Sequence, residues 1–186
     1  TAFAQDNLLA NAGFESWTDG KADGWVPTTS ATNGTVTQST DAHTGSYAAS
    51  LAGSSTQNKR MASQEYVLEA GTYSYSVWAK GGANIRLGYA IVQEDGTIDS
   101  KNGYKYLIDA VVTTDEWVQY SCEFTLDVAT KVNMIVMNNK TAAALLIDDA
   151  ALVLTSGGEG GGEGGGETPD EPVIPEVPSV LWSESF

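Results

Sequence analysis

Positive charge is scarce in this chain of 186 residues: nine Lys and Arg stand against 24 Asp and Glu, a formal net charge of −15. So few cations cannot neutralise a phosphate backbone, which argues against a nucleic-acid partner. The same deficit disfavours an anionic lipid surface. Cysteine is nearly absent too. With Cys122 alone, neither an internal disulfide nor a cysteine-based metal site can form, and the residue reads as a small buried apolar side chain. Histidine is equally rare. His43 is the only one, in the polar turn "DAHTGSY", so a nucleophile has almost no choice of base. No run of about eighteen apolar residues offers a membrane-spanning helix. Helical periodicity is missing as well. Without a helix there is no phosphate-cradling helix N-terminus, and the glycine-rich run 157–167 lacks the lysine of a P-loop. These absences together predict a chain that is not an enzyme.

What is present is alternation with a period of two. In "TYSYSVWAK" (72–80), Tyr73, Tyr75, Val77 and Ala79 share one face, and Ser74, Ser76, Trp78 and Lys80 the other. In "WVQYSCEFTL" (117–126), Val118, Tyr120, Cys122, Phe124 and Leu126 are expected inward. The stretches 84–93, 131–139 and 144–154 read as further strands. Between strands lie turn signals such as Gly81-Gly82 and Glu94-Asp95-Gly96. Many strands at this spacing predict an all-β sandwich or barrel. A domain of about 150 residues can bury roughly 70% of its unfolded surface, enough for a core.

The ends read differently. Thr1-Ala2-Phe3-Ala4-Gln5 has the small-x-small form of a signal-peptidase site, so residues 1–6 are expected to be a signal-peptide remnant or extension of an exported protein. Residues 156–179 combine "GGEGGGEGGGE" with Pro169, Pro172, Pro175 and Pro178, a linker that is flexible first and stiffer after. Residues 180–186, "VLWSESF", turn apolar again and are expected to open a second domain. The folded unit is thus placed at 7–155.

Six segments in order carry a resemblance: "NLLANAGFESW" (7–17), "GW" (24–25), "HTGSYAASL" (43–51), "AGTYSYSVWAK" (70–80), Trp117 with "YSCEFTL", and "LLIDDAALV" (145–153). This series resembles the family 4/9 carbohydrate-binding modules. The resemblance implies a β-jelly-roll sandwich of two antiparallel sheets, akin to galactose-binding-like domains, and a non-catalytic module that binds a glycan without nucleic acid or membrane insertion. It also implies a monomeric domain and a structural calcium ion. The implied ion takes oxygens from the Gly13 carbonyl, the Glu15 carboxylate, a backbone oxygen near Ser46, and Asp148, with Asp149 as the alternative. Calcium takes six to eight hard oxygens, carboxylate and carbonyl alike. Asp148 and Asp149 interrupt an apolar strand, where adjacent residues are expected to face opposite ways.

In such modules pyranose rings stack on aromatic side chains while polar groups hold the hydroxyls. Trp78 is the first candidate platform, because an indole among small polar residues on the outward face of a strand needs a reason. Arg86, expected on a neighbouring strand, and Gln119, Asn133 and Asn139 are candidate polar contacts. Tyr89 and Tyr104 are lesser aromatic options. The alternative function is a structural or adhesive β-sandwich without a sugar site.

Overall fold

The computed structural model describes residues 6–25 and 31–157. The expected extension at 1–6 (all but Asp6), nearly all of the linker and the segment 180–186 lie outside the described residues. Eleven strands follow in chain order: β1 (Trp17–Thr18), β2 (Lys21–Ala22), β3 (Val36–Ser39), β4 (Ala48–Leu51), β5 (Lys59–Leu68), β6 (Gly71–Lys80), β7 (Asn84–Ile91), β8 (Tyr104–Val112), β9 (Val118–Leu126), β10 (Thr130–Asn138) and β11 (Leu145–Gly157). They form a hairpin of β1 and β2, a four-stranded sheet ordered β5-β10-β7-β8 and a five-stranded sheet ordered β3-β4-β11-β6-β9. Every pairing is antiparallel. This is the expected all-β sandwich.

The core lies between the two larger sheets. Tyr73, Tyr75, Val77 and Ala79 of β6 are all buried, as their alternation requires, and meet Leu87 and Tyr89 of β7 and Met134 and Val136 of β10 in one apolar cluster. On β9, Phe124 and Leu126 are buried but Val118 is 38% exposed, because β9 is an edge strand and its first residue runs past the core.

The opening segment is stitched to β11 without joining the sheet ladder. Leu8 N–H donates to the Leu152 carbonyl, and Ala150 N–H donates to that of Ala12. The Asn7 side chain completes the seam, donating to Ala150 O and accepting from Leu152 N–H. These bonds take the place of a strand ladder, so the chain can turn sharply at Asn11 and Phe14, which both have positive φ. Phe14 then drops into the core against Trp25, ring centroids 4.9 Å apart.

Two expectations of strand geometry need correction. β7, which carries Arg86, is not a neighbour of β6 but belongs to the opposite sheet. And β11 does not alternate regularly. Leu145 and Ile147 face the core, then Ala150 and Leu152 do, because a β-bulge between Asp148 and Ala151 adds a residue. Asp149 takes φ 42° there. Leu146 and Ala150 therefore do not share a face, and a bulge frees adjacent side chains from pointing strictly opposite ways.

Candidate functional site

Glu15 and Asp148 both grip one loop, residues 43–47. Glu15 Oε1 accepts the N–H groups of Ser46 (2.8 Å) and Tyr47 (2.9 Å). Asp148 is fully buried. Its Oδ2 accepts the N–H groups of His43 (2.8 Å) and Thr44 (3.1 Å), and its Oδ1 accepts Asp149 N–H (2.8 Å). Burial pushes the Asp148 carboxyl above its ordinary value, the three backbone donors pull it down, and the neighbouring Asp149 charge adds a smaller upward push. Gly45 is required in the loop: its φ is 65°, and a Cβ there would strike the Glu15 carboxylate. Asp149, released sideways by the bulge, meets His43 Nδ1 (2.6 Å) and accepts Thr44 Oγ1–H (2.8 Å).

Of the expected metal ligands, Glu15, Ser46 and Asp148 all lie at this loop, joined to it by hydrogen bonds. Ser46 donates its N–H to Glu15, and Asp148 spends both oxygens on backbone donors. Asp149 is the acid beside Gly13, where an added Cβ would lie 3.5 Å from Asp149 Oδ1. Among the described residues no group of three His, Cys, Asp or Glu side chains is placed to hold a metal, so an ion here would depend on backbone carbonyls. Glu15, Asp149 and the Gly13 carbonyl are hard oxygen donors of the kind calcium accepts.

Trp78 stands on the outer face of the five-stranded sheet, half-buried. Its register partners are Asp148 on β11 and Gln119 on β9. The ring is stacked on His43, centroids 3.9 Å apart and planes 14° apart. Trp117 meets the same imidazole edge-on, its centroid 5.9 Å from that of His43 and its plane inclined by 61°. Lys80 lies 5.3 Å over the Trp117 ring and pairs with Asp41 at 2.7 Å. Of the other candidate ligand contacts, only Gln119 is on this sheet. Asn133 is buried in the four-stranded sheet and donates to Ser63 O. Asn139 follows β10 and donates its backbone N–H to Asn84 O. Tyr89 is buried and stacked on Phe124, so it serves the core.

A second aromatic group lies on the outer face of the four-stranded sheet. Register sets its rows: Arg60, Met137 and Arg86 form one, and Ala62, Ile135, Gly88 and Tyr106 the next. Tyr104 lies one row further, opposite Ala90. Ala62, Ala90 and Ile135 are fully buried in a small cluster with Ala31, and Tyr104 and Tyr106 pack against it. The two tyrosine rings are 6.4 Å apart and within 7° of parallel. Arg60 lies 4.2 Å over Tyr104, and Arg86 4.8 Å over Tyr106. All four side chains are half-buried. Burial pushes the Tyr106 phenol up, and Arg60 beside it is the main opposing influence. Sequence reasoning named Tyr104 and Arg86 but missed Tyr106 and Arg60. The alternation of "YKYLI" from Tyr104 was the available signal for the first.

The sequence that folds into this sandwich matches a known family model. Residues 6–142 fit the model described as a carbohydrate binding domain, of families 4 and 9. The chain belongs to this family. Solved carbohydrate-binding modules share the fold. The CBM22-1 xylan-binding domain from Paenibacillus barcinonensis Xyn10C aligns with a TM-score of 0.59 at 18% identity, covering 83% of this chain and 97% of that one. A family 16 carbohydrate-binding module aligns at 0.57 and 21%, covering 79% and 99%. TmCBM61, solved with β-1,4-galactotriose, aligns at 0.51 and 21%, covering 80% and 99%. At such identities the likeness is one of fold. No curated protein sequence matches this carbohydrate-binding domain. Among its described residues no helix is long and apolar enough to cross a membrane.

Proposed function

We propose that this module binds a glycan on the outer face of the four-stranded sheet, against Tyr104 and Tyr106. The observation that carries this reading is the pair of near-parallel, half-exposed tyrosine rings, each with an arginine guanidinium over it. Aromatic rings offer apolar area to the hydrogen-bearing face of a sugar, and arginine donors suit ring and hydroxyl oxygens. The Trp78 ring is stacked on His43, and in this reading it holds the 43–47 loop on the sheet.

The proposal includes a structural calcium ion held by Glu15, Asp149 and the Gly13 carbonyl. Such an ion would neutralise the acids gathered beneath the loop and leave the glycan face untouched. The module is read as part of an exported protein, as the sequence of its first residues suggests, and as non-catalytic itself. Calorimetric titration with xylan and galactan oligosaccharides, together with a broad glycan array, tests the site. Tyr106→Ala is expected to weaken binding at least tenfold, about 1.4 kcal/mol, with its folded state verified by circular dichroism. Trp78→Ala is expected to leave affinity within twofold while lowering the melting temperature. The reverse pattern would move the site to the other sheet, and no binding to any glycan would favour the structural or adhesive reading.

A further inference from the structure

The chain contains two arginines, Arg60 and Arg86, and both lie on the proposed glycan face, in one row across the four-stranded sheet. Their situations differ. Arg86 holds a carboxylate already, since its guanidinium is paired with Asp109 at 2.5 Å. Arg60 has no acid partner among the described residues, whose ion pairs are His43–Asp149, Lys80–Asp41, Arg86–Asp109 and Lys131–Glu65.

Arg60 is nonetheless built firmly into the structure. Its backbone N–H donates to Asn33 Oδ1 at 2.6 Å, and its carbonyl accepts Asn33 N–H. Its side-chain Nε–H donates to Ala31 O at 3.2 Å. The guanidinium lies over the Tyr104 ring. Stacking and the Nε bond fix the plane of the group, and its terminal amino groups are set beside the Tyr106 phenol. A guanidinium held half-buried in a fixed plane has given up part of its hydration, which is costly unless an anion compensates. The planar fork matches a carboxylate in a two-point contact. In a chain of net charge −15, this fixed cation has no acid paired with it among the described residues.

We propose that the glycan bound by this module carries a carboxylate, as a uronic acid does, and that Arg60 receives it beside the tyrosine pair. This rests on the reading of the face as a glycan site. The repulsion between an acidic chain and a polyanion is screened beyond about 8 Å at physiological salt, whereas the contact at Arg60 is direct.

The test compares polyuronates with their own neutral forms. Polygalacturonate, alginate and glucuronoxylan are each chemically reduced at the carboxyl group, and the native and reduced forms are titrated against the protein at about physiological ionic strength. At least one native polymer is expected to bind tenfold or more tightly than its reduced form. Arg60→Gln is expected to abolish that preference, and Arg60→Lys to restore part of it. Equal binding of native and reduced forms in every pair would overturn the proposal while leaving the glycan site standing, and the reduction arm decides this without any variant. A preference that survives unchanged in Arg60→Gln would also overturn it. Binding of no polymer in either form, and of no neutral glycan, would remove the glycan reading itself.

Discussion

Tyr75 is fully buried between the sheets, yet its hydroxyl has no hydrogen-bond partner among the described residues. Burial pushes its phenol well above the ordinary value. A buried unpaired hydroxyl costs about 1–3 kcal/mol. Tyr75→Phe is therefore expected to stabilise the domain by about 1 kcal/mol, measured by urea denaturation at equilibrium; a clear loss of stability would show that the hydroxyl has a partner. Cys122 sits beside it, Sγ 3.7 Å from the Tyr75 carbonyl oxygen. Burial pushes its thiol up to about 12, so almost no thiolate exists at neutral pH and the residue is unsuited to nucleophilic work. Alternation and composition had already suggested an inert Cys122. They could not suggest the isolation of the Tyr75 hydroxyl, since a side chain's face follows from its own strand but its partners come from elsewhere. Trp78 illustrates the same limit. Its outward face was legible, whereas the His43 ring covering it arrives from a loop more than thirty residues earlier.

At the scale of elements, the loop 43–47 explains why acids sit beside apolar residues in "NAGFESW" and "LLIDDAALV". Phe14 and Ile147 are buried, and the adjacent Glu15 and Asp148 turn to the loop amides. Carboxylates accept hydrogen bonds from backbone N–H groups strongly, and here they tie the first and last parts of the fold through a third. The bulge in β11 was not legible, because nothing in "IDDAA" marks an extra residue; it is visible only in the shift of the buried positions. The strand β8 was missed for a related reason: as an edge strand it buries little, and its alternation fades after Ile108. If calcium binds beneath the loop, it stabilises the folded state by mass action, about 2.7 kcal/mol at a hundredfold excess over Kd. Excess EDTA is then expected to lower the melting temperature by roughly 5–10 °C, with calcium restoring it. A melt that chelation leaves unchanged would exclude an ion of useful affinity.

The described residues form a sandwich whose two outer faces carry different groups. The five-stranded sheet carries the loop, its acids and the Trp78–His43 stack. The four-stranded sheet carries the tyrosine pair and both arginines. Alternation and the ordered series of short segments made the fold class readable along most of the domain. The division between faces was not readable, because it depends on which strands pair, and strands adjacent in sequence such as β6 and β7 lie in opposite sheets. That is why Trp78 and Arg86 were expected together and are found apart. The most direct measurement is an amide chemical-shift map of the labelled domain during titration with a bound oligosaccharide. The shifts are expected to concentrate on β5, β7, β8 and β10 around Arg60, Arg86, Tyr104 and Tyr106. Shifts centred instead on Trp78, Trp117 and Gln119 would contradict the assignment of the glycan to the four-stranded sheet.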